Sequence, residues 1–186
     1  MMFKEIKSRE SFEHREAREL SEWAKTFNDL KGWRENAHHI NLQCYGKDAY
    51  NRDTTAGDQR RISIGEKVMN RLRSILKLRK SEFEWVLSHD MGEGLNSCHL
   101  HGLIYWFNRI ISFPDAKRKV KQLNCRLNDS PALPNGLALH ISEPEDGRCL
   151  SQAQFNYPFK AKPQMLARGM QRKPFTSANC DPWPSR

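Results

Sequence analysis

Apolar positions along the chain follow two periods, and their alternation outlines the elements. Between Ser8 and Lys31, Phe12, Leu20, Trp23, Phe27 and Leu30 fall on helical spacings, and Gly32 supplies a stop. Residues His39 to Tyr45 (HINLQCY) alternate apolar and polar side chains, the period of a half-buried strand. The polar stretch NRDTTAGDQRR then reads as a loop. Beyond it, Ile64, Val68, Leu72, Ile75 and Leu76 place an apolar stripe on a helix running to about Lys80, with Lys67, Arg71, Arg73, Lys77 and Arg79 on its other face. Phe83, Trp85 and Leu87 alternate with Glu84, Val86 and Ser88, and Leu100, Gly102, Ile104 and Trp106 alternate with His99, His101, Leu103 and Tyr105. The loop DMGEGLNS between these runs predicts an antiparallel hairpin.

A basic helix starts near Pro114-Asp115, with Val120, Leu123 and Leu127 inward and Lys117, Arg118, Lys119 and Lys121 outward. DSPALPNG breaks the chain before a further strand, Leu137 to Ile141. A short helix or turn follows from Leu150 to about Lys160. This order of elements predicts an α+β fold: an antiparallel sheet of about five strands with helices packed on it. Residues 1–35 read as a helical extension and 163–186 as a mobile basic tail.

Composition narrows the class. In 186 residues, 31 Lys+Arg stand against 22 Asp+Glu, a formal charge of +9, and the acid-free run from Gly147 to Cys180 carries Arg148, Lys160, Lys162, Arg168, Arg172 and Lys173. Such a run is as often a solvated tail as a binding surface, but a polyanion, nucleic acid first, is the partner it would suit. The sequence contains neither an apolar run of membrane-spanning length nor a signal-peptide pattern, so the expected location is the cytoplasm, with no membrane partner. Cys44, Cys98, Cys125, Cys149 and Cys180 are odd in number and never paired as C-x-x-C, which argues against a disulfide framework and a zinc ribbon.

The candidate chemistry lies in two segments. On a strand, residues i and i+2 share a face, so His99 and His101 in CHLHGLIYW point the same way and can share one divalent metal. Standing alone, an H-x-H on a wet sheet face is more often accidental than a ligand pair. In YPFK, Tyr157 and Lys160 lie three residues apart, a spacing that puts both on one face of a helical turn. Tyrosine is a competent nucleophile toward phosphorus, and an ammonium beside it stabilises the developing charge. Alone, that pair too reads as a packed Tyr beside a surface Lys.

Together these segments resemble the three ordered motifs of the HUH endonuclease superfamily, and within it the rolling-circle replication initiator (Rep) proteins. HINLQCY is similar to the first motif, CHLHGLIYW to the second and YPFK to the third; the resemblance covers roughly residues 36–162. It implies an HUH/Rep-like, ferredoxin/RRM-like catalytic domain that nicks and joins single-stranded DNA through a 5′-phosphotyrosine intermediate. The family pattern makes His99 and His101 metal ligands, Tyr157 the nucleophile and Lys160 its charge partner. The metal would be Mg²⁺ or Mn²⁺. A replication origin would be the substrate, and host helicase and polymerase the partners, since no phosphate-loop motif is present.

The sequence departs from the family pattern twice. The third ligand, commonly Glu on the preceding strand, aligns with Ser88; the face shared by even-numbered residues favours Asp90 or Glu84, with Asp90 chosen, and His89 serves if the register slips by one. Pro158 disfavours the α conformation in the residue before it and places Tyr157 at a helix start or break. Tyr45, Tyr50 and Tyr105 are poorer nucleophiles. Tyr105 and Trp106 are candidates for stacking on unpaired bases, although core packing is the better reading of Trp106. The alternatives are a single-strand transposase of the same superfamily and an inactive DNA-binding relative.

Overall fold

The computed structural model describes residues 37–91, 98–106, 111–143, 150–159 and 174–177, together with Arg18, Ser21, Glu22 and Lys25, which are helical. The rest of the predicted N-terminal helix lies outside the described residues. The fold is α+β, as the sequence predicts. Strands β1 (Ala37–Cys44), β2 (Phe83–Met91), β3 (Cys98–Trp106), β4 (Leu137–Ile141) and β5 (Phe175–Thr176) form one antiparallel sheet in the order β4-β1-β3-β2-β5. Helices α1 (Thr55–Leu76) and α2 (Phe113–Asn128) cover one face, and α3 (Gln152–Asn156) with a 3-10 turn at Tyr157–Phe159 covers part of the other.

Strand parity explains the two layers. The main core joins Ile64, Val68 and Leu72 of α1 and Val120, Leu123 and Leu127 of α2 to Ile40 and Leu42 of β1, Trp85 and Leu87 of β2, and Leu100 and Ile104 of β3. The alternate positions Ala37, Val86, Leu103 and Tyr105 face the other way and pack with Leu150, Phe155 and Phe159. Central strands β2 and β3 are therefore covered on both faces, and β3 bears the histidines within its span. Gly102 is required at that centre: a Cβ there would lie 2.2 Å from the Val86 carbonyl oxygen and 2.5 Å from Leu87 Cδ2.

Three sequence expectations are corrected. The polar stretch 51–61 is not all loop, because α1 begins at Thr55, with the Thr54 side chain accepting from the Gly57 N–H at 3.1 Å. Its polarity misleads because Asp58 and Arg61 are buried. The Arg61 guanidinium donates to Asp58, to the Tyr50 and Arg52 carbonyls, and to His89 Nδ1 at 3.0 Å. Helix α1 ends at Leu76, not Lys80: Lys77 turns left-handed (φ 56°), and the Lys77 and Leu78 N–H groups close on Ser74 and Arg73 while Leu78 goes into the core. Finally, part of the expected mobile tail belongs to the sheet. Phe175 pairs with Leu87 at the β2 edge, and its ring packs edge-on to Trp85 at 5.9 Å.

Candidate metal centre

Strand β3 carries His99 and His101 on the face away from α1 and α2, and antiparallel pairing sets Asp90 of β2 directly opposite His99. Opposed residues share a face, so three ligand-bearing side chains converge from two neighbouring strands. His99 Nε2 and His101 Nε2 are 2.8 Å apart, and Asp90 Oδ2 lies 3.8 and 3.2 Å from them. Ligands about 2.1 Å from one ion stand roughly 3.0 Å apart at neighbouring octahedral positions and roughly 3.4 Å apart at tetrahedral ones. Two imidazoles and a carboxylate at these separations fit a single divalent ion. Asp90, His99 and His101 form the one such group among the described residues. Burial reinforces the fit, with Asp90 2% exposed and each histidine 9%.

The other third-ligand candidates are placed elsewhere. Glu84 shares the face but pairs with Tyr105, six residues along β2 from Asp90. That is about 20 Å of strand. Ser88 sits opposite His101 without a ligating group of comparable strength. His89 faces the helices, where burial, with Arg61 alongside, pushes its pKa down to about 4.

Tyr157 reaches this centre from the far end of the described chain. Ser151 caps α3, its side chain accepting from the Gln154 N–H at 3.2 Å while the Gln154 side chain accepts from the Ser151 N–H. Phe155 and Phe159 insert into the apolar cluster on either side of the tyrosine, so its ring is held over the sheet. Tyr157 stands at a helix break as expected beside Pro158, yet keeps helical angles (φ −55°, ψ −45°), because the proline ends α3 in a 3-10 turn. Its ring meets His101 at 4.6 Å, and its hydroxyl donates to Asp90 Oδ2 at 3.2 Å. Lys160 lies outside the described residues.

Sequence reasoning missed His39. Its ring stacks on His101 at 5.4 Å and meets Tyr157 edge-on at 5.8 Å. Nδ1 lies 3.2 Å from Ser142 Oγ, while Nε2 is buried without a hydrogen-bond partner among the described residues. Burial pushes this imidazole down to about 4, so it is neutral at pH 7. The alternation through HINLQCY already put His39 on the face of Asn41, and the β1–β3 pairing was the missing step.

Of the two candidate stacking aromatics, Tyr105 is corrected, whereas Trp106 takes the core position expected of it. Tyr105 is 9% and Trp106 5% exposed, so neither offers an open ring; Trp106 packs in the core, against His38. Tyr50, expected in a polar loop, is fully buried and donates to the Leu42 carbonyl at 2.5 Å. No helix among the described residues is long and apolar enough to cross a membrane. Comparisons with family models, curated proteins and solved structures find no match.

Proposed function

We propose that this chain is a metal-dependent, tyrosine-type endonuclease that nicks and rejoins single-stranded DNA, initiating rolling-circle replication of a plasmid or phage. The observation that carries this reading is the Tyr157 hydroxyl hydrogen-bonded to Asp90, a member of the Asp–His–His group. A phenol beside a divalent-metal site is suited to phosphoryl transfer, because nucleophile and electrophilic assistance meet at one phosphate.

When bound by Asp90, His99 and His101, Mg²⁺ or Mn²⁺ supplies Lewis-acid polarisation of the scissile phosphate. Tyr157 is held by Phe155 and Phe159 so that its oxygen faces the same space, with its proton directed at Asp90 Oδ2. Its oxygen bonds to phosphorus, the 3′-oxygen leaves and takes up a proton, and the strand's 5′ end stays on the tyrosine. The reverse transfer to a 3′-hydroxyl reseals the strand, so no nucleoside triphosphate is consumed. Lys160, by the family pattern, stabilises charge at the tyrosine or phosphate. The substrate is a single-stranded replication origin, and host helicase and polymerase complete the reaction sequence.

The test is incubation of the full chain with a labelled single-stranded oligonucleotide library and Mn²⁺, resolved on denaturing gels. A covalent adduct that disappears in Tyr157→Phe and in EDTA supports the reading. Binding without any adduct overturns it in favour of an inactive DNA-binding protein.

A further inference from the structure

With Tyr105 and Trp106 buried, Tyr45 is the one large apolar side chain left exposed among the described residues, at 69%. It is nonetheless held in place. Its hydroxyl donates to Gln43 Oε1 at 2.6 Å and lies 3.1 Å from His140 Nε2, and the His140 ring stands edge-on to the tyrosine ring at 6.2 Å. The backbone beneath is fixed too. The Tyr45 N–H donates to the Gly136 carbonyl at 2.9 Å, and Gly136 adopts φ 76°, where a Cβ would also lie 2.9 Å from the Gly46 nitrogen.

Sheet register connects this tyrosine to the metal centre. His140 of β4 pairs with Asn41 of β1, and Asn41 pairs with His101 of β3. Opposed residues share a face, so His101, Asn41 and His140 form a row across the sheet, with the Tyr45 hydroxyl at its far end. Two strand spacings, about 10 Å, separate His101 from His140. That distance is a step of roughly one or two nucleotides along an extended single strand.

We propose that Tyr45, with its hydroxyl pinned by Gln43 and His140, is a stacking platform for an unpaired base of single-stranded DNA next to the scissile phosphate. The proposal rests on the nicking reading and names where its substrate is gripped. An exposed aromatic ring whose hydroxyl is tethered presents a pre-positioned π-surface on which any base can stack. The chain's overall charge of +9 suits a polyanionic partner. Asn41, between the platform and His101, places a carboxamide where a base edge would pass.

The test uses the full chain carrying Tyr157→Phe, so that binding is read without cleavage, and a fluorescein-labelled thymidine homopolymer in an anisotropy titration. Tyr45→Ala is expected to weaken binding roughly ten-fold, with an unchanged slope of log affinity against log salt, because a stack and not a phosphate contact is lost. Tyr45→Trp is expected to bind like the parent. A strand of abasic nucleotides should bind the parent weakly and show no further loss with Tyr45→Ala. Parent-like affinity in Tyr45→Ala, or an equal loss on duplex DNA, overturns the platform and leaves the nicking reading standing. Failure of the parent to bind single strands overturns both.

Discussion

The Tyr157 hydroxyl donates to Asp90 Oδ2 at 3.2 Å, and the same carboxylate oxygen lies 3.2 Å from His101 Nε2. One side chain on β2 thus connects a phenol 67 residues further along the chain to the imidazole pair on β3. The sheet supplies the ligands by register and the short helix supplies the hydroxyl by packing.

Asp90→Asn keeps the shape and the acceptor for Tyr157 but removes the charge that favours a cation. Its Mn²⁺ affinity should fall at least ten-fold by calorimetric titration. Melting temperatures in EDTA should stay close to the wild type, while the rise produced by saturating Mn²⁺ shrinks by mass action.

His99→Ala and His101→Ala should each abolish nicking and weaken DNA binding far less, since phosphate contacts by Lys and Arg supply most of the affinity for a polyanion. Anisotropy beside a nicking gel separates the two effects. Wild-type nicking undiminished by EDTA would count against a metal role.

Gly102→Ala should destabilise the fold by about 2 kcal/mol or more, measured by urea unfolding, because the added methyl meets the Val86 carbonyl across the β2–β3 ladder. Since the neighbouring His101 moves with that ladder, Mn²⁺ binding should weaken in the same variant.

Burial pushes His38, His39 and His89 down to about 4. In the unfolded chain each returns to about 6.5, so between those values the unfolded state binds more protons than the folded one. Stability should therefore fall as pH drops from about 6.5 toward 4, and this contribution flattens below that. Melting temperature in metal-free buffer checks the trend at pH 7, 6 and 5. His38→Phe, placed against the Trp106 and Phe113 rings, should reduce the slope.

Much of this architecture was legible because period follows burial. Phe83, Trp85 and Leu87 alternate with Glu84, Val86 and Ser88, and that alternation puts Asp90 on the histidine face, where the β2–β3 register places it. The stripe Ile64, Val68, Leu72 likewise marked α1. Its first turns were hidden because Asp58 and Arg61 look solvated in the sequence, yet they satisfy each other and the Tyr50 and Arg52 carbonyls inside. His39 was illegible as a neighbour of the histidine pair for another reason. Which strand neighbours β3 is a long-range pairing, and nothing local to HINLQCY fixes it. Phe175 was obscured in the same way, lying in a basic segment whose sheet partner, Leu87, is far away in sequence.

The most direct test of the central claim is mass spectrometry of the peptides released after the wild-type chain reacts with single-stranded DNA and Mn²⁺. The expected product is a nucleotide-bearing peptide whose modified residue is Tyr157, absent in Tyr157→Phe. A DNA adduct on any other residue, or cleaved DNA with every peptide unmodified, would contradict the claim.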